Sequence, residues 1–583
     1  MMLPLSTTSV HIIPESHTQF GMANGALFGG NILATRGDLV GPGSYDEAIE
    51  GLNVTGLRYP GGALTEEYFD MTNPDASTVT SAITGETSDF IPISDFLAYA
   101  GANGQNVTIV VPTRGLVSED PNSPGDLIHD VTNQESIANL RGFVHDLTTG
   151  VYGDANIVAI ELGNEYWGSG EMNAVEYGHV SAQMAFITAD ELKLVSEEYG
   201  IDTSGIEVLV QSGYNFGTSR ISNDYEGWES HDVIDDLLDQ YPQVNLSYDN
   251  IRNNGEVNWT QVNNELIIMA FDTPEKLAAV QGVLAHVYTY GTDYEDAGAY
   301  QIGVIEDTWL SLPGFETAEV HVTEWNQKTS DGQDSNADYG LFQAHEMLHI
   351  VDNFLEAGVD QAYVWPLIQN TSNALSTGME YSGPTAPGQF FAMMSENLPG
   401  KAVIDFTPEY YRGSEYEAGT ADVHAFAGRG EMVFYLASIA DETTVTYIDL
   451  SNYVAGFEAM EVSVLGVVPE QSPGDNHSNI EIQQLEATEV YQDGILAADL
   501  DQGEIMQVII RGIQPTDAFA PTLEAIEAAD VVIDDEDPII DDDPVEEEPP
   551  NEDTLDDGGF GDGLAGLGLL LGLLPILLLL GMA

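Results

Sequence analysis

Between about residues 20 and 395, short runs of β-branched and apolar residues alternate with stretches of helical period, an order that few folds satisfy. The strand-like runs are ALFGGNILA (26–34), VTGLRYPGG (54–62), NVTIVVPTRG (106–115), NIVAIELGNE (156–165), GIEVLVQSG (205–213), VLAHVYTYG (283–291), EVHVTEWN (319–326) and QAYVWPLIQ (361–369). Strand, helix, strand repeated in this way predicts parallel βαβ units, because a helical crossover returns the chain to the start of the next parallel strand. Eight such units close a barrel, so the expected fold class is α/β, a (β/α)8 barrel over 20–397. Helical patterns are clearest over 173–200 and 339–358, and the long stretch 214–282, rich in Asn and Asp, is expected to carry an insertion near the active face.

After about residue 400 the texture changes. Alternating runs such as EMVFYLASI (431–439), TTVTYIDLS (443–451) and EIMQVIIRG (504–512), separated by turn residues, predict an antiparallel β-sandwich over 398–513. TSVHIIP (8–14), inside an N-terminal segment 1–19, is a candidate strand for the same sandwich. No Lys or Arg follows Arg511, and 514–562 is read as an acidic, self-repelling, disordered linker on the strength of its DDEDPIIDDDPVEEEPPNED run. Residues 563–583, GLAGLGLLLGLLPILLLLGMA, carry no charge over 21 positions and are read as a targeting or anchoring element that would contact a membrane or secretion machinery.

The charge balance limits the partners. With 13 Lys+Arg against 97 Asp+Glu the formal net charge is −84, which repels nucleic acid and anionic lipid and suits solubility in salt. There is no cysteine, hence no disulfide, thiolate metal site or thiol nucleophile. The first residues, MMLPLSTTSVHIIPES, have neither a basic region nor a long apolar one, so no conventional signal peptide is read there; the expected location is extracellular or cell-surface all the same, with 563–583 as the targeting element. No calcium loop is found and no cofactor is expected; the oligomeric state is left open.

A barrel brings its strand ends to one face, and here those ends are chemically rich. Glu165 ends the fourth run and Glu324 the seventh, and two carboxylates converging in a barrel mouth can serve as the acid/base and nucleophile of glycosidic cleavage. Around them, Arg58 would orient a carboxylate or bind substrate, and Asn164, His286 and Tyr288 would supply hydrogen bonds. Trp325 and Trp365 would offer apolar platforms to a sugar ring. Taken singly, each has a structural explanation; their concentration at strand ends favours a site. Glu66 and Glu67, by contrast, are read as solvated surface groups on so acidic a chain.

The motifs RYPGG (58–62), TRG (113–115), GNEYW (163–167) with EYG (176–178), HVY (286–288), EWN (324–326) and LIQN (367–370) together resemble the retaining glycoside hydrolases built on (β/α)8 barrels, and within them the α-L-arabinofuranosidases of glycoside hydrolase family 51. The resemblance covers roughly 20–512. It implies Glu165 as acid/base, Glu324 as nucleophile, Asn164 as ligand of the hydroxyl beside the reacting carbon, and an oligosaccharide or polysaccharide substrate. The ALTEEYFD that follows RYPGG and the long 214–282 stretch depart from that family, so xylosidase-like and glucuronidase-like specificities of related families stay open.

One motif competes. His345-Glu346-Met347-Leu348-His349 fits the H-E-x-x-H of zinc proteases, which places two ligands and a general base on one helix. No third histidine follows on that helix, and Phe342, Met347, Leu348, Val351 and Phe354 give it the apolar period of the seventh barrel helix, so the match is read as coincidental and no metal is expected. The alternatives kept are a zinc metalloprotease using 345–349 and a non-catalytic carbohydrate-binding surface protein.

Overall fold

All eight runs become strands: β1 (Gly29–Asn31), β2 (Gly56–Tyr59), β3 (Asn106–Val111), β4 (Asn156–Leu162), β5 (Glu207–Gln211), β6 (Gly282–Thr289), β7 (Glu319–Gln327) and β8 (Gln361–Val364). In this computed structural model each strand pairs in parallel with the next and β8 pairs with β1, closing a TIM-type barrel. The structure describes residues 21–534 apart from 117, 120–126, 129–133, 292–296, 330–331, 405–414 and 419. The candidate strand 8–14 and the apolar segment 563–583 lie outside the described residues. Among the described residues, no helix is long and apolar enough to cross a membrane.

Burial on both faces explains the composition of the strands. In β3 every residue after Asn106 is buried, inward against the barrel filling and outward beneath helices, so its sequence reads as one apolar run instead of alternating. Helix α1 (Ala174–Tyr199) starts where Asn173 accepts the Glu176 backbone N–H at 3.0 Å and Glu176 accepts that of Asn173 at 2.8 Å, a reciprocal cap that fixes the chain's exit from the β4 loop. The stretch 214–282 holds short helical turns and the helices Ser230–Gln240 and Trp259–Ile268 before β6 begins.

Helix α2 (Leu341–Glu356) has no solvent side over most of its length, because it lies between barrel and sandwich. Met347, Leu348, Val351 and Phe354 join the barrel core as expected, whereas Phe342 lies against Gly503 of the sandwich. Beyond helix α3 (Ala386–Asn397), strands β9 (Ala421–Gly428), β10 (Glu431–Ser438), β11 (Ala459–Val467), β12 (Ile480–Leu485) and β13 (Ile505–Arg511) form an antiparallel sheet in the order β9-β10-β13-β11-β12. Strand alternation gives this sheet two apolar faces. Val423, Ala425 and Ala427 of β9 face Ile448, Leu496 and Ala498 of the smaller sheet, while Phe426, Val433, Tyr435 and Ile509 enter the barrel's own core. The Tyr435 hydroxyl donates to the Met393 carbonyl on α3 at 3.2 Å.

The linker expected from residue 514 is corrected at its start. Ala520–Asp534 form helix α4, and Phe519, Leu523 and Ile526 are buried in the sandwich core. A helically spaced apolar stripe outweighs the surrounding acid there, a pattern that the charge count concealed.

At the N-terminal end of the barrel, fully buried His321 lies 2.8 Å from Glu207 and 3.1 Å from Glu319. Burial opposes its charge, but the two carboxylates raise its pKa to about 9. A raised folded pKa means stability that is complete below the unfolded value near 6.5 and is lost as pH rises towards 9. Urea unfolding should therefore show a loss of roughly 2–3 kcal/mol across that window that His321→Asn lacks.

Candidate active site

The barrel mouth is organised by Arg58, which reaches inward from β2 and is fully buried. All five of its N–H donors are engaged: Nε and Nη2 with Glu161 at 2.7 Å each, Nη1 with Asn31 at 2.8 Å and Glu324 at 2.9 Å, and Nη2 with Asn164 at 2.8 Å. Burial alone would lower its pKa; the Glu161 and Glu324 carboxylates outweigh that and keep the guanidinium protonated. The expectation that Arg58 binds substrate is corrected, because no donor is left over and the group is sealed beneath the carboxylates that it holds.

Glu324 projects from β7 into the mouth and is 4 % exposed. One of its oxygens accepts from Arg58, and the other accepts from the Tyr288 hydroxyl at 2.8 Å. Burial, followed by the charges of Glu324 and Glu165, pushes the Tyr288 pKa well up, so the phenol is a donor at any ordinary pH. Glu165 stands opposite in the loop after β4, at φ +44°, a backbone region that costs a non-glycine residue about 1–3 kcal/mol and recurs where a side chain is held for function. The loop turns so tightly that a Cβ on Gly163, itself at φ +83°, would lie 2.7 Å from Thr113 Cγ2.

His286 connects the two carboxylates, with Nδ1 3.4 Å from Glu165 and 3.6 Å from Glu324. Burial disfavours its charged form, but Glu324 and then Glu165 raise its pKa above the ordinary imidazole value. The nearest atoms of Glu165, His286 and Glu324 all lie within 4.8 Å of one another. That trio could in principle ligate a cation, but the Arg58 charge 2.9 Å from Glu324 opposes one. One oxygen of Glu165 thus lies within 4.8 Å of one oxygen of Glu324, the close approach that a retaining pair, with carboxyl groups about 5–5.5 Å apart, calls for.

Two buried polar atoms beside the carboxylates have no hydrogen-bond partner among the described residues: Asn164 Nδ2 and His286 Nε2. Arg58 fixes the Asn164 orientation by donating to Oδ1, so Nδ2 is free for a ligand. Tyr166 stacks on Tyr177 at 4.3 Å, and the Tyr177 hydroxyl donates to the Leu162 carbonyl at 2.7 Å, which accounts for the aromatic residues in GNEYW and EYG as braces of the β4 loop.

The two tryptophans separate. Trp365 remains partly exposed at the mouth, against the backbone of RYPGG. A Cβ on Gly62, at φ +59°, would lie 2.5 Å from the indole, so Gly62→Ala should cost about 1–3 kcal/mol in urea unfolding and shift the tryptophan emission. Trp325 is corrected: as the neighbour of inward-facing Glu324 it points outward, fully buried beside Phe354 at 5.6 Å and Phe391 at 6.1 Å, out of reach of any ligand.

Glu66 is also corrected. It is 3 % exposed and accepts from the backbone N–H groups of Thr113 at 2.9 Å, Arg114 at 2.8 Å and Asn164 at 3.4 Å, and from Thr113 Oγ1 at 2.7 Å. One buried carboxylate thus ties TRG to GNE. Asn31, Glu161, Trp167 and Tyr214 complete the surroundings and had no sequence assignment; Tyr214 donates to the His286 carbonyl, and its ring lies 4.3 Å from that of Trp167, tilted by 33°. Glu161 had a legible signal, a lone acid in the apolar run NIVAIEL.

The metalloprotease reading finds no support. His345, Glu346 and His349 are buried between barrel and sandwich, where no peptide substrate could reach them.

A (β/α)8 barrel with a C-terminal β-sandwich and a carboxylate pair in its mouth is the class that fold and site define. No protein-family model and no curated protein sequence matches the chain. Solved structures do. A family 51 α-L-arabinofuranosidase from Bifidobacterium longum superposes with a TM-score of 0.55 at 15 % identity over 87 % of this chain and 100 % of its own. The family 51 arabinofuranosidase from Xanthomonas axonopodis pv. citri gives 0.52 at 14 % over 86 % and 99 %, and the α-L-arabinofuranosidase of Thermotoga maritima 0.53 at 12 % over 85 % and 98 %. At these identities the likeness is one of fold.

Proposed function

We propose that the chain is a retaining glycoside hydrolase, exo-acting and α-L-arabinofuranosidase-like, that removes sugar residues from oligosaccharide or polysaccharide. The observation that carries the reading is the Glu165–Glu324 pair, within 4.8 Å, with only Glu324 clamped by both Arg58 and Tyr288. A Glu324 oxygen attacks the anomeric carbon as the bond to the leaving oxygen breaks, and Glu165 gives that oxygen its proton. Glu165 then takes a proton from water as the water oxygen displaces Glu324, so that configuration is retained. Asn164 Nδ2 is placed to donate to a hydroxyl beside the reacting carbon, and Trp365 to face the ring. The arabinofuranosidase structures share the fold in which this arrangement sits.

Aryl α-L-arabinofuranoside, β-xyloside and β-glucuronide, assayed in parallel, test the reading and select the sugar, with the anomer of the first-formed product read by NMR. Turnover of the arabinofuranoside with retention is expected. Binding without turnover of any glycoside would favour a carbohydrate-binding surface protein, and inversion would overturn the double displacement.

A further inference from the structure

His345 and His349, one turn apart on α2, meet Asp422 and His424, alternate residues on one face of β9. All four side chains are buried, and their nearest ligand atoms lie within 4.8 Å of one another. Asp422 Oδ2 is 2.7 Å from His345 Nε2, 3.3 Å from His349 Nε2 and 3.1 Å from His424 Nε2, and the His345 and His349 Nε2 atoms are 3.1 Å apart. Four lone-pair atoms thus converge on one small volume. A metal bound at about 2.0–2.1 Å in tetrahedral geometry sets its ligand atoms roughly 3.3 Å apart, the scale of these separations.

We propose that His345, His349, Asp422 and His424 bind one divalent transition-metal ion of the zinc class, in a closed structural site that fastens the seventh barrel helix to the β-sandwich.

Three further features fit. The donor set of three imidazoles and a carboxylate suits zinc in preference to calcium or magnesium, which take oxygen ligands. His424 turns its other ring nitrogen to Asp352, with Nδ1 2.5 Å from Oδ2, the carboxylate partner that fixes the tautomer of a metal-bound imidazole. Asp352 is itself on α2 and 2 % exposed, so the two elements cross-brace each other. Finally, a bound divalent ion would take the three imidazoles as neutral ligands, and the Asp422 and Asp352 carboxylates would balance its charge in a buried place. All four positions are filled by protein, so the ion would have no opening for water or substrate. H-E-x-x-H would then be a ligand pair without the protease chemistry, and Glu346 would have no part in binding.

The test is metal analysis of the full chain, isolated without chelator and dialysed at high salt to strip the acidic surface. About one zinc per chain is expected in the parent and in Glu346→Gln, falling at least tenfold in His349→Ala and Asp422→Ala. Protein produced with cobalt should show the visible d–d absorption of tetrahedral Co(II). Metal-free protein should gain roughly 5 °C in melting temperature on adding zinc. If His349→Ala and Asp422→Ala do not fold, the cobalt spectrum of the parent decides. No metal in the parent with no cobalt spectrum overturns the proposal, as does zinc retained equally by both variants, which would place the ion on surface carboxylates.

Discussion

Glu324→Gln should leave no measurable glycoside turnover while the protein stays folded. The amide keeps the volume of the carboxylate and an oxygen for Arg58, now 2.9 Å away, but it cannot form the glycosyl ester on which a double displacement depends. Glu165→Gln should behave differently. Loss of a general acid costs about 10²–10⁴-fold, and the cost concentrates on substrates whose leaving oxygen needs the proton. An activated aryl glycoside should therefore still glycosylate Glu324 and then stall, giving a burst followed by slow turnover. Azide should rescue that variant by replacing the activated water and should return a glycosyl azide of retained configuration. The opposite pattern, a burst in Glu324→Gln and none in Glu165→Gln, would exchange the two roles; equal loss in both with no azide rescue would sink the mechanism.

Arg58→Met should be the most destabilising single substitution in the barrel. It strips the partner from Glu161, which is fully buried and held at 2.7 Å, and half the support from Glu324. Breaking such a pair from one side costs about 3–5 kcal/mol, chiefly because an uncompensated charge stays buried. Adding Glu161→Leu to Arg58→Met should recover much of the loss in urea unfolding, since two apolar groups of similar volume then replace the ion pair. Activity should not return, because Glu324 and Asn164 both keep their places through Arg58. A double variant that regained turnover would reduce Arg58 to a structural residue.

How far the sequence could be read follows from the range of each signal. Strand existence and order were legible because apolar runs and helical periods are local, and the barrel follows from their number. Glu165, Glu324, Asn164, His286 and Tyr288 were legible because a strand's end lies at the barrel mouth wherever its neighbours are. Alternation was under-used: if Glu324 faces in, Trp325 must face out, and no more than the period of two was needed to remove it from the site. Glu66 was misread because what buries it, the backbone of Thr113 and Asn164, lies 47 and 98 residues away. The histidine cluster was out of reach for the same reason, since α2 and β9 are brought together only by docking of the sandwich. The α4 helix shows the reverse error, a local apolar stripe overruled by global composition.

The shared apolar face of β9, β10 and β13 has a consequence for the order in which the protein can be made. Ile505 and Ile509, in the last long strand, belong to the same core as the barrel helices. A nascent chain that has just released Asn397 has every barrel strand and helix, yet α2 and α3 still present uncovered apolar surface to solvent or a chaperone. The final wall arrives more than a hundred residues later, so a truncation after α3 should give an aggregating intermediate and not a minimal catalyst. Synthesis of this protein is therefore complete, in the folding sense, only when its distant C-terminal strand has closed over its middle.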